Sequence, residues 1–556
     1  MIPDILVGVN LKRIINRPLA TMAGWHAGRQ LKRWLAMHRR TGEVQERLFQ
    51  QLRHAHAETA FGKDHGLASV QTLDDFRRAV PLRRYTDFEP YMNRVLHGET
   101  NALLPSDAPV VMFSMTSGTT GRPKHIPVTP RFLAAMRRGW NIWGLGVLAQ
   151  YRHAWVRPIL QITSSPYEDR SPTGLPCGAI SGLLARTQKR IVRRFYCTPP
   201  WTGDVPSPQA RNYAILRHGV DKDVAFITTA NPSSTIKLIE TGQSHADRLI
   251  RDIREGTFNP PGDMPPSAVI SRFRPNPVLA QHLEFAIRND GELLPRHLWD
   301  LAFLANWTGG TLKLYLRRLR AIFGDLPIHD IGLLASEGRF SIPLEAGRSA
   351  GIAEITDNLL EFIPAEHYGE ENPPTLGPRE IEVGGEYFLV FSNWTGLMRY
   401  NLDDRVRVVD TYEQSPVFEF LCRGVSTASI TGEKITESQV VEAMRRARQK
   451  HGDRPKLDRF LVQGRFPRND LPHYELHVEE PDDLDVSTLA MSMDEALAEL
   501  NIEYASKRKS GRLGPVRPVV LSDGTFEQSE TERIRQTRGR SEQYKHCYLR
   551  TEVVEE

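Results

Sequence analysis

Cysteine is scarce in this chain. Only four occur in 556 residues, Cys177, Cys197, Cys422 and Cys547. They stand far apart and form no CxxC, which argues against a disulfide framework and a thiolate zinc site and fits a reducing cytoplasm. Long apolar runs are missing too. No segment approaches the ~20 apolar residues that a membrane span needs. The opening stretch "MIPDILVGVNLKRIINRPLATMAGW" holds neither an uninterrupted apolar core nor a small-residue cleavage site. Neither sign of charge dominates: 72 Lys and Arg against 67 Asp and Glu leave a net +5, too little to indicate a nucleic-acid binder. The runs "RRLR" and "SKRKSGR" lack the interleaved aromatics of a base-stacking surface and read as solvated faces. His54, His56, His65 and His125 have no partner pattern for metal or triad chemistry and read as structural. There is no internal repeat and no low-complexity tract. The expectation is a soluble, cytoplasmic monomer with neither nucleic acid nor membrane as partner.

What is present is the alternation of an α/β protein too long for one hydrophobic core. Leu31, Leu35, Leu48 and Leu52 among charges predict amphipathic helix from about Arg29 to Thr59. "APVVMFSM" reads as a buried strand and "KHIPVT" as a short extended return. Thr129-Pro130 then reads as an N-cap with proline at the first helical position, opening "RFLAAMRRGWNIWGLGVL". "DVAFITTA", "IHDIGLLAS" and "EYFLVFSN" are further strands, alternating with helices such as Thr311 to Phe323. From "LMRYNLDDRVRVVD" the pattern becomes a strand meander. Near Val425 the texture changes again. A helix (Glu437 to Lys450), strands at "RFLVQGRF" and "HYELHVEE", a helix (Ser487 to Lys507), the strand "VRPVVL" and a polar tail predict a compact α+β unit. The predicted organisation is therefore a large domain over residues 1–424 and a small one over 425–556.

Between the first strand and its return lies "SMTSGTTGRPKHIPVT", Ser114 to Thr129. Glycine permits close approach and positive φ, so backbone N–H groups and hydroxyls in such a run converge on one anion, and Lys124 adds a full charge. A Walker A loop needs G-x-x-x-x-G-K-[ST] with the helix opening at the lysine. Here Gly121 is followed by Arg-Pro-Lys, and the helix signal waits until Thr129. It is not a Walker loop.

The run resembles the phosphate loop of the adenylate-forming superfamily, [ST]-S-G-T-[ST]-G-x-P-K. Other segments narrow the resemblance: "FRRAVPLRRYTDFEPYMNRVLHGE", "ANWTGGTLKLYLRRL", "GLLASEG", "MRYNLDDRVRVVD", "GEKITE", "YASKRKSGRLGPVRPVVLSDGTF" and "SEQYKHCYL". In this order they look like the Gretchen Hagen family of auxin-responsive acyl acid amido synthetases, including its bacterial members, over nearly the whole chain. The resemblance implies a large α/β domain with a β-meander, of the firefly-luciferase-like type, and a small mobile C-terminal domain. It implies activation of a carboxylic acid by ATP with Mg²⁺ as an acyl adenylate, then transfer to an amine, usually an amino acid.

It also implies roles for residues. Thr116, Ser117, Thr119 and Thr120 would contact phosphates beside Lys124, with Gly118 and Gly121 supplying backbone freedom. "LLASEG" matches the Y-x-S-S-E element through Ser336 and Glu337, and Glu337 would reach Mg²⁺ as a hard oxygen ligand. Leu333 stands where the pattern has an aromatic. The competing reading of Ser336-Glu337 is a strand-to-helix cap. "WTGG" matches an adenine-side turn at Thr308 and Gly309. "RYNLDD" matches R-Y-R-L-G-D, whose last residue, Asp404 here, would accept both ribose hydroxyls. Asn401 and Asp403 depart from that pattern. Lys434 in "GEK" and Lys545 in "QYK" would act from the mobile domain, Lys545 as a compact charge on a long stem. "SPTGLPCGAISGLL" and "ITTANPSS" are candidates for the acid pocket. Two other functions stay open on sequence grounds: an acyl-CoA ligase using the same adenylate, and a non-catalytic carboxylic-acid binder.

Overall fold

The computed structural model describes residues 17–555 apart from 117–123, 269–271, 311–314, 425–426, 429, 432, 434, 452–454, 468–469, 480–484, 511–512 and 537–545. The chain divides into two compact units, Met1–Gly309 with Leu319–Phe420, and Gly310–Arg318 with Leu421–Glu556. The architecture is mixed α/β. Among the described residues no helix is long and apolar enough to cross a membrane.

The predicted first helix is two helices, Arg17–Met37 and Thr41–His56, separated by a 3-10 turn at His38–Arg40. A buried polar trio interrupts it: His38 Nδ1 lies 2.8 Å from Ser415 Oγ, and Thr41 Oγ1 lies 2.6 Å from the same hydroxyl. Strand β1 (Met112–Thr116) pairs antiparallel with β2 (Lys124–Val128), and the Thr129 side chain then caps the helix Pro130–Leu148 at Phe132 N, 3.2 Å. Strand β3 (Ile159–Gln161) opens a second sheet, while β4 (Asp169–Arg170) and β5 (Pro176–Gly178) complete the first in the order β2-β1-β5-β4. Strands β6 (Phe226–Thr228), β7 (Phe303–Asn306) and β8 (Ile328–Asp330) join β3 in a parallel sheet, order β3-β6-β7-β8. Strands β9 (Leu334–Ala335) and β10 (Gly338–Arg339) form a small hairpin.

The meander is a six-stranded sheet of β11 (Ser341–Ile342), β12 (Gly351–Ala353), β13 (Asn358–Pro364), β14 (Glu386–Asn393), β15 (Tyr400–Tyr412) and β16 (Ser415–Arg423), ordered β11-β12-β16-β15-β14-β13. Its inner face and the helix Thr41–His56 share one apolar core that includes Phe49, Leu52, Leu360, Phe362 and Phe391. Gln45 fixes the helix to that sheet. Its buried amide donates to Ile355 O (2.7 Å) and Asn358 O (2.9 Å) and accepts from Leu360 N (2.8 Å), so no polar group is left unpaired by the contact.

In the second unit, β17 (Thr427–Ala428) pairs with β18 (Ile435–Thr436). Helices Glu437–His451 and Val486–Leu500 pack with a sheet of β19 (Phe460–Phe466), β20 (His473–Glu479), β21 (Arg517–Leu521) and β22 (Leu549–Glu555), ordered β21-β20-β19-β22. Two expectations need correction. The helix expected from Ser487 to Lys507 breaks at Asn501, whose side chain accepts from Tyr504 N at 2.9 Å and starts a new helix, Ile502–Lys509. The supposed polar tail contains the helix Thr525–Gln536 and the sheet strand β22.

Candidate active site

The glycine-rich loop caps the β1–β2 hairpin: the last pair in register is Thr116 with Lys124. Ser117, Gly118, Thr119, Thr120 and Gly121, like Lys434 and Lys545, lie outside the described residues. At the hairpin's open end Lys124 Nζ donates to Tyr400 Oη (3.3 Å) and lies 5.4 Å from the centre of the Tyr85 ring. Tyr85 is locked by the strand itself. Its hydroxyl accepts from His125 N (2.8 Å) and donates to His125 O (3.2 Å). Burial pushes this phenol up to about 12, and the charge of Glu337 adds to the shift, which places that carboxylate in the same neighbourhood.

Ser336 and Glu337 form the two-residue turn of the β9–β10 hairpin, where Ala335 pairs with Gly338. The strand-to-helix cap is therefore overturned, because the chain returns as a strand. Asn393 Nδ2 holds the turn through Glu337 O (2.8 Å) and is itself 3.1 Å from Asn358 Oδ1. A Cβ on Gly338 would approach Asn358 Oδ1 to 3.0 Å, so any larger residue there would push on the asparagine pair that holds the turn. The Glu337 residue is 2% exposed, yet among the described residues its carboxylate makes no hydrogen bond and no ion pair. A buried carboxylate needs a cation or donor beside it, and none of the described residues supplies one. Leu333, in the position of the family's aromatic, is buried in the apolar core.

Thr308 and Gly309 follow the carboxyl end of β7, and Asp330 ends β8, the region where open parallel sheets bind ligands. Asp330 went unnoticed in the sequence, although an aspartate closing a strand two residues before a glycine is a usable signal. Its Oδ2 accepts from both Thr308 N and Thr308 Oγ1 at 2.6 Å, and its Oδ1 accepts from Gly332 N at 2.6 Å. Burial pushes the Asp330 carboxyl up to about 6 even against these bonds. The donor capacity of Thr308 is thus spent on shaping the turn, so this residue positions rather than reaches outward. Arg339 was missed as well. It is 3% exposed, donates from Nη1 to Ile331 O at 2.6 Å, and lies 4.5 Å from the Trp140 ring. Gly139 makes room for it, since a Cβ there would come within 2.4 Å of Arg339 Cδ.

Asp404 stands on a bulge. Opposite β14, Phe388 pairs with Arg405 and Val390 with Asn401, so Leu402, Asp403 and Asp404 together face Leu389. Asp403 adopts a left-handed backbone, φ +64°, and its N–H donates to Asn401 Oδ1 at 2.9 Å. Here the two departures from the family pattern become intelligible. The position that is glycine in R-Y-R-L-G-D needs positive φ; aspartate tolerates it, and Asn401 supplies the local hydrogen bond that stabilises the turn. Asp403 is one-third exposed, and its carboxylate is further held by the Tyr368 hydroxyl and by Arg84 at 3.6 Å. Asp404, at 7% exposure, is the buried member of the pair. A bulge re-aims side chains in this way. Just upstream, Arg399 (φ +49°) anchors the strand: its Nε donates to Glu361 at 3.0 Å, its Nη1 to Val80 O at 2.8 Å, and Arg77 Nε reaches Glu361 at 3.1 Å.

The two candidate acid-pocket stretches lie beside the same parallel sheet. A Cβ on Gly178 or Gly182 would strike Pro166 or Ser164 backbone at 2.6 and 2.2 Å, so "CGAISG" is built for close packing against the segment that follows β3. Asn231 of "ITTANPSS" caps the helix Pro232–Ser244 after β6.

Residues 30–328 match the GH3 family N-terminal domain, 355–423 the GH3 family central domain and 438–552 the GH3 family C-terminal domain. Jasmonoyl-L-amino acid synthetase GH3.5 of Oryza sativa subsp. japonica is 26% identical over 88% of this chain and 89% of its own. Indole-3-acetic acid-amido synthetase GH3.10 of Arabidopsis thaliana is 26% identical, over 83% and 84%. Among solved structures, GH3.15 acyl acid amido synthetase superposes over 94% of both chains with a TM-score of 0.77 at 20% identity, which establishes the shared fold.

Proposed function

Because this chain belongs to the GH3 family, we propose that it is an AMP-forming ligase that activates a small carboxylic acid with ATP and joins it to an amine, an amino acid by preference. A carboxylate is a poor acylating agent, since its leaving group would be oxide. Attack of one carboxylate oxygen on the α-phosphorus of ATP forms a new P–O bond and expels pyrophosphate. The amine nitrogen then adds to the acyl carbon, loses a proton, and AMP departs with the oxygen that made the attack. Little covalent help is needed from the protein; it must position the triphosphate in line and stabilise developing charge.

The observation that carries this reading is the buried Glu337 at the turn of the β9–β10 hairpin, whose carboxylate has no protein partner among the described residues. A single carboxylate completed by phosphate oxygens and water suits Mg²⁺, which rarely takes an all-protein cage. When bound there, the ion would neutralise triphosphate charge. Asp404 is assigned to the ribose hydroxyls, Thr116 to Gly121 with Lys124 to the phosphates, and Thr308 and Gly309, braced by Asp330, to the wall of the base. The small domain, residues 425–556, is assigned to bring Lys434 and Lys545 to the first half-reaction and to withdraw before the amine enters, since both cannot occupy the face of the acyl phosphate at once.

The test is pyrophosphate release with ATP across a panel of carboxylic acids, followed by addition of amino acid, hydroxylamine or CoA. Acid-dependent release followed by amide formation is expected. Release followed by thioester formation alone would make it a CoA ligase, and acid binding without release would make it a carrier.

A further inference from the structure

Away from the residues discussed above, the first unit contains a cavity of about 550 Å³ at the edge of the parallel sheet. It sits where Tyr196 bridges to Ile159 of β3, between the last turn of the helix Pro208–Gly219 and the first of the helix Pro277–Asp290. None of the residues assigned to nucleotide or metal lines it. Four cationic side chains, Arg193, Lys222, Arg272 and Arg274, stand at its exposed rim, and among the described residues none of them has a salt bridge. The one carboxylate in the lining, Asp221, is already engaged by the buried Arg217 at 2.9 Å. The rim therefore carries an uncompensated positive field. The carbonyl end of one helix and the N–H end of the other face the same space and oppose each other, leaving the side chains to set the sign.

The lining offers a second, independent sign of a ligand. His218 is 7% exposed, its Nδ1 lies 2.8 Å from Ala214 O, and its Nε2 is buried with no hydrogen-bond partner among the described residues. Burial and the neighbouring Arg217 keep this imidazole's pKa below the usual range, so it is neutral and Nε2 carries a lone pair that nothing serves. Leaving such an acceptor unpaired in the interior is unfavourable. Phe273, edge-on to the ring at 4.9 Å, and Gln161, whose side-chain amide also lacks a described partner, complete that part of the lining.

We propose that this cavity binds a small phosphorylated, hydroxyl-bearing metabolite of the sugar-phosphate class. The arginine and lysine rim takes the phosphate dianion, and the hydroxylated body donates to His218 Nε2, once Phe273 turns aside, and bonds to the Gln161 amide. The volume matches such a ligand, being within the range of small-molecule sites. The proposal does not depend on the identity of the acid or amine.

Isothermal titration of the full chain with glucose 6-phosphate, with AMP held saturating to fill the nucleotide site, tests it; glucose and inorganic phosphate are titrated in parallel. Binding of glucose 6-phosphate in the presence of AMP is expected, about tenfold or more tighter than either part, since glucose lacks the charge-assisted bonds to the rim and inorganic phosphate lacks the two neutral bonds to His218 and Gln161. Arg272→Ala with Arg274→Ala, both at exposed positions, should weaken it about tenfold or more while leaving pyrophosphate release unchanged. His218→Phe, which keeps an aromatic ring but removes the acceptor, should abolish the preference over inorganic phosphate. No binding up to millimolar concentrations, displacement by AMP, equal affinity for phosphate alone, or indifference to the double arginine variant would each overturn the assignment.

Discussion

Replacing Asp403 by glycine and by alanine separates the backbone role of this bulge from its side-chain role. The residue holds φ +64° between Leu402 and Asp404, and its carboxylate accepts from Tyr368 Oη, with Arg84 at 3.6 Å. Asp403→Ala removes the phenol's partner, a charge-assisted bond worth about 1.5–3 kcal/mol and less at this partly exposed position. It also keeps a Cβ in the left-handed region without aspartate's local hydrogen bonding, so a total loss of about 2–3 kcal/mol is expected. Asp403→Gly suffers the same loss of the bond but regains about 1 kcal/mol from the relaxed backbone. Urea denaturation should therefore rank wild type above Asp403→Gly and Asp403→Gly above Asp403→Ala by roughly 1 kcal/mol. The KM for ATP should stay near wild type in the glycine variant, because the bulge that presents Asp404 survives. If the alanine variant is as stable as the glycine variant, positive φ is not what this position demands, and the explanation of the family's glycine fails.

The remaining expectations concern the site and its supports. Asp404→Ala should raise the KM for ATP by roughly a hundredfold, the loss of two hydrogen bonds to a cis-diol; an unaltered KM would remove Asp404 from the ribose. Glu337→Gln should slow pyrophosphate release by about a hundredfold and leave thermal stability equal or higher, since the carboxylate has no described protein partner to lose; a marked fall in the melting temperature with normal release would make it structural. Burial raises the Glu361 pKa, but Arg399, Thr375 and Arg77 outweigh it and hold the group below its ordinary 4.5. Its stabilising contribution is accordingly full above that value and lost as pH falls below it, and Glu361→Gln should flatten this acid limb at a cost of about 3–5 kcal/mol at neutral pH. Lys545→Ala should impair adenylation far more than aminolysis of chemically prepared acyl adenylate; equal impairment of both would assign it a structural role.

Much of this architecture was legible because local signals agreed with tertiary demand. "EYFLVFSN" is strand β14 to the residue, and Thr129-Pro130 caps its helix, since an apolar strand and a Thr-Pro start need little from distant chain. The misreadings share a cause: a long-range partner decided the local conformation. His38 ends a helix where Ser415, hundreds of residues away, pairs with its Nδ1. β22 looked like a polar tail because its apolar content is low, and it becomes a strand by parallel pairing with β19. In the candidate site, motif matching pointed to Glu337 and Asp404 but not to Asp330 or Arg339. Those two act through bonds to Thr308, Gly332 and Ile331, which only folding brings into view.

The acyl adenylate itself can be followed by its oxygen. With an accepted acid labelled with heavy oxygen at both carboxylate positions, ATP, Mg²⁺ and an amino acid, mass spectrometry of the products reports which bonds were made. The proposed sequence predicts one labelled oxygen in AMP, the other retained in the amide carbonyl, and unlabelled pyrophosphate. Unlabelled AMP, or the label in inorganic phosphate alongside ADP, would contradict activation at the α-phosphorus and with it the proposed reaction.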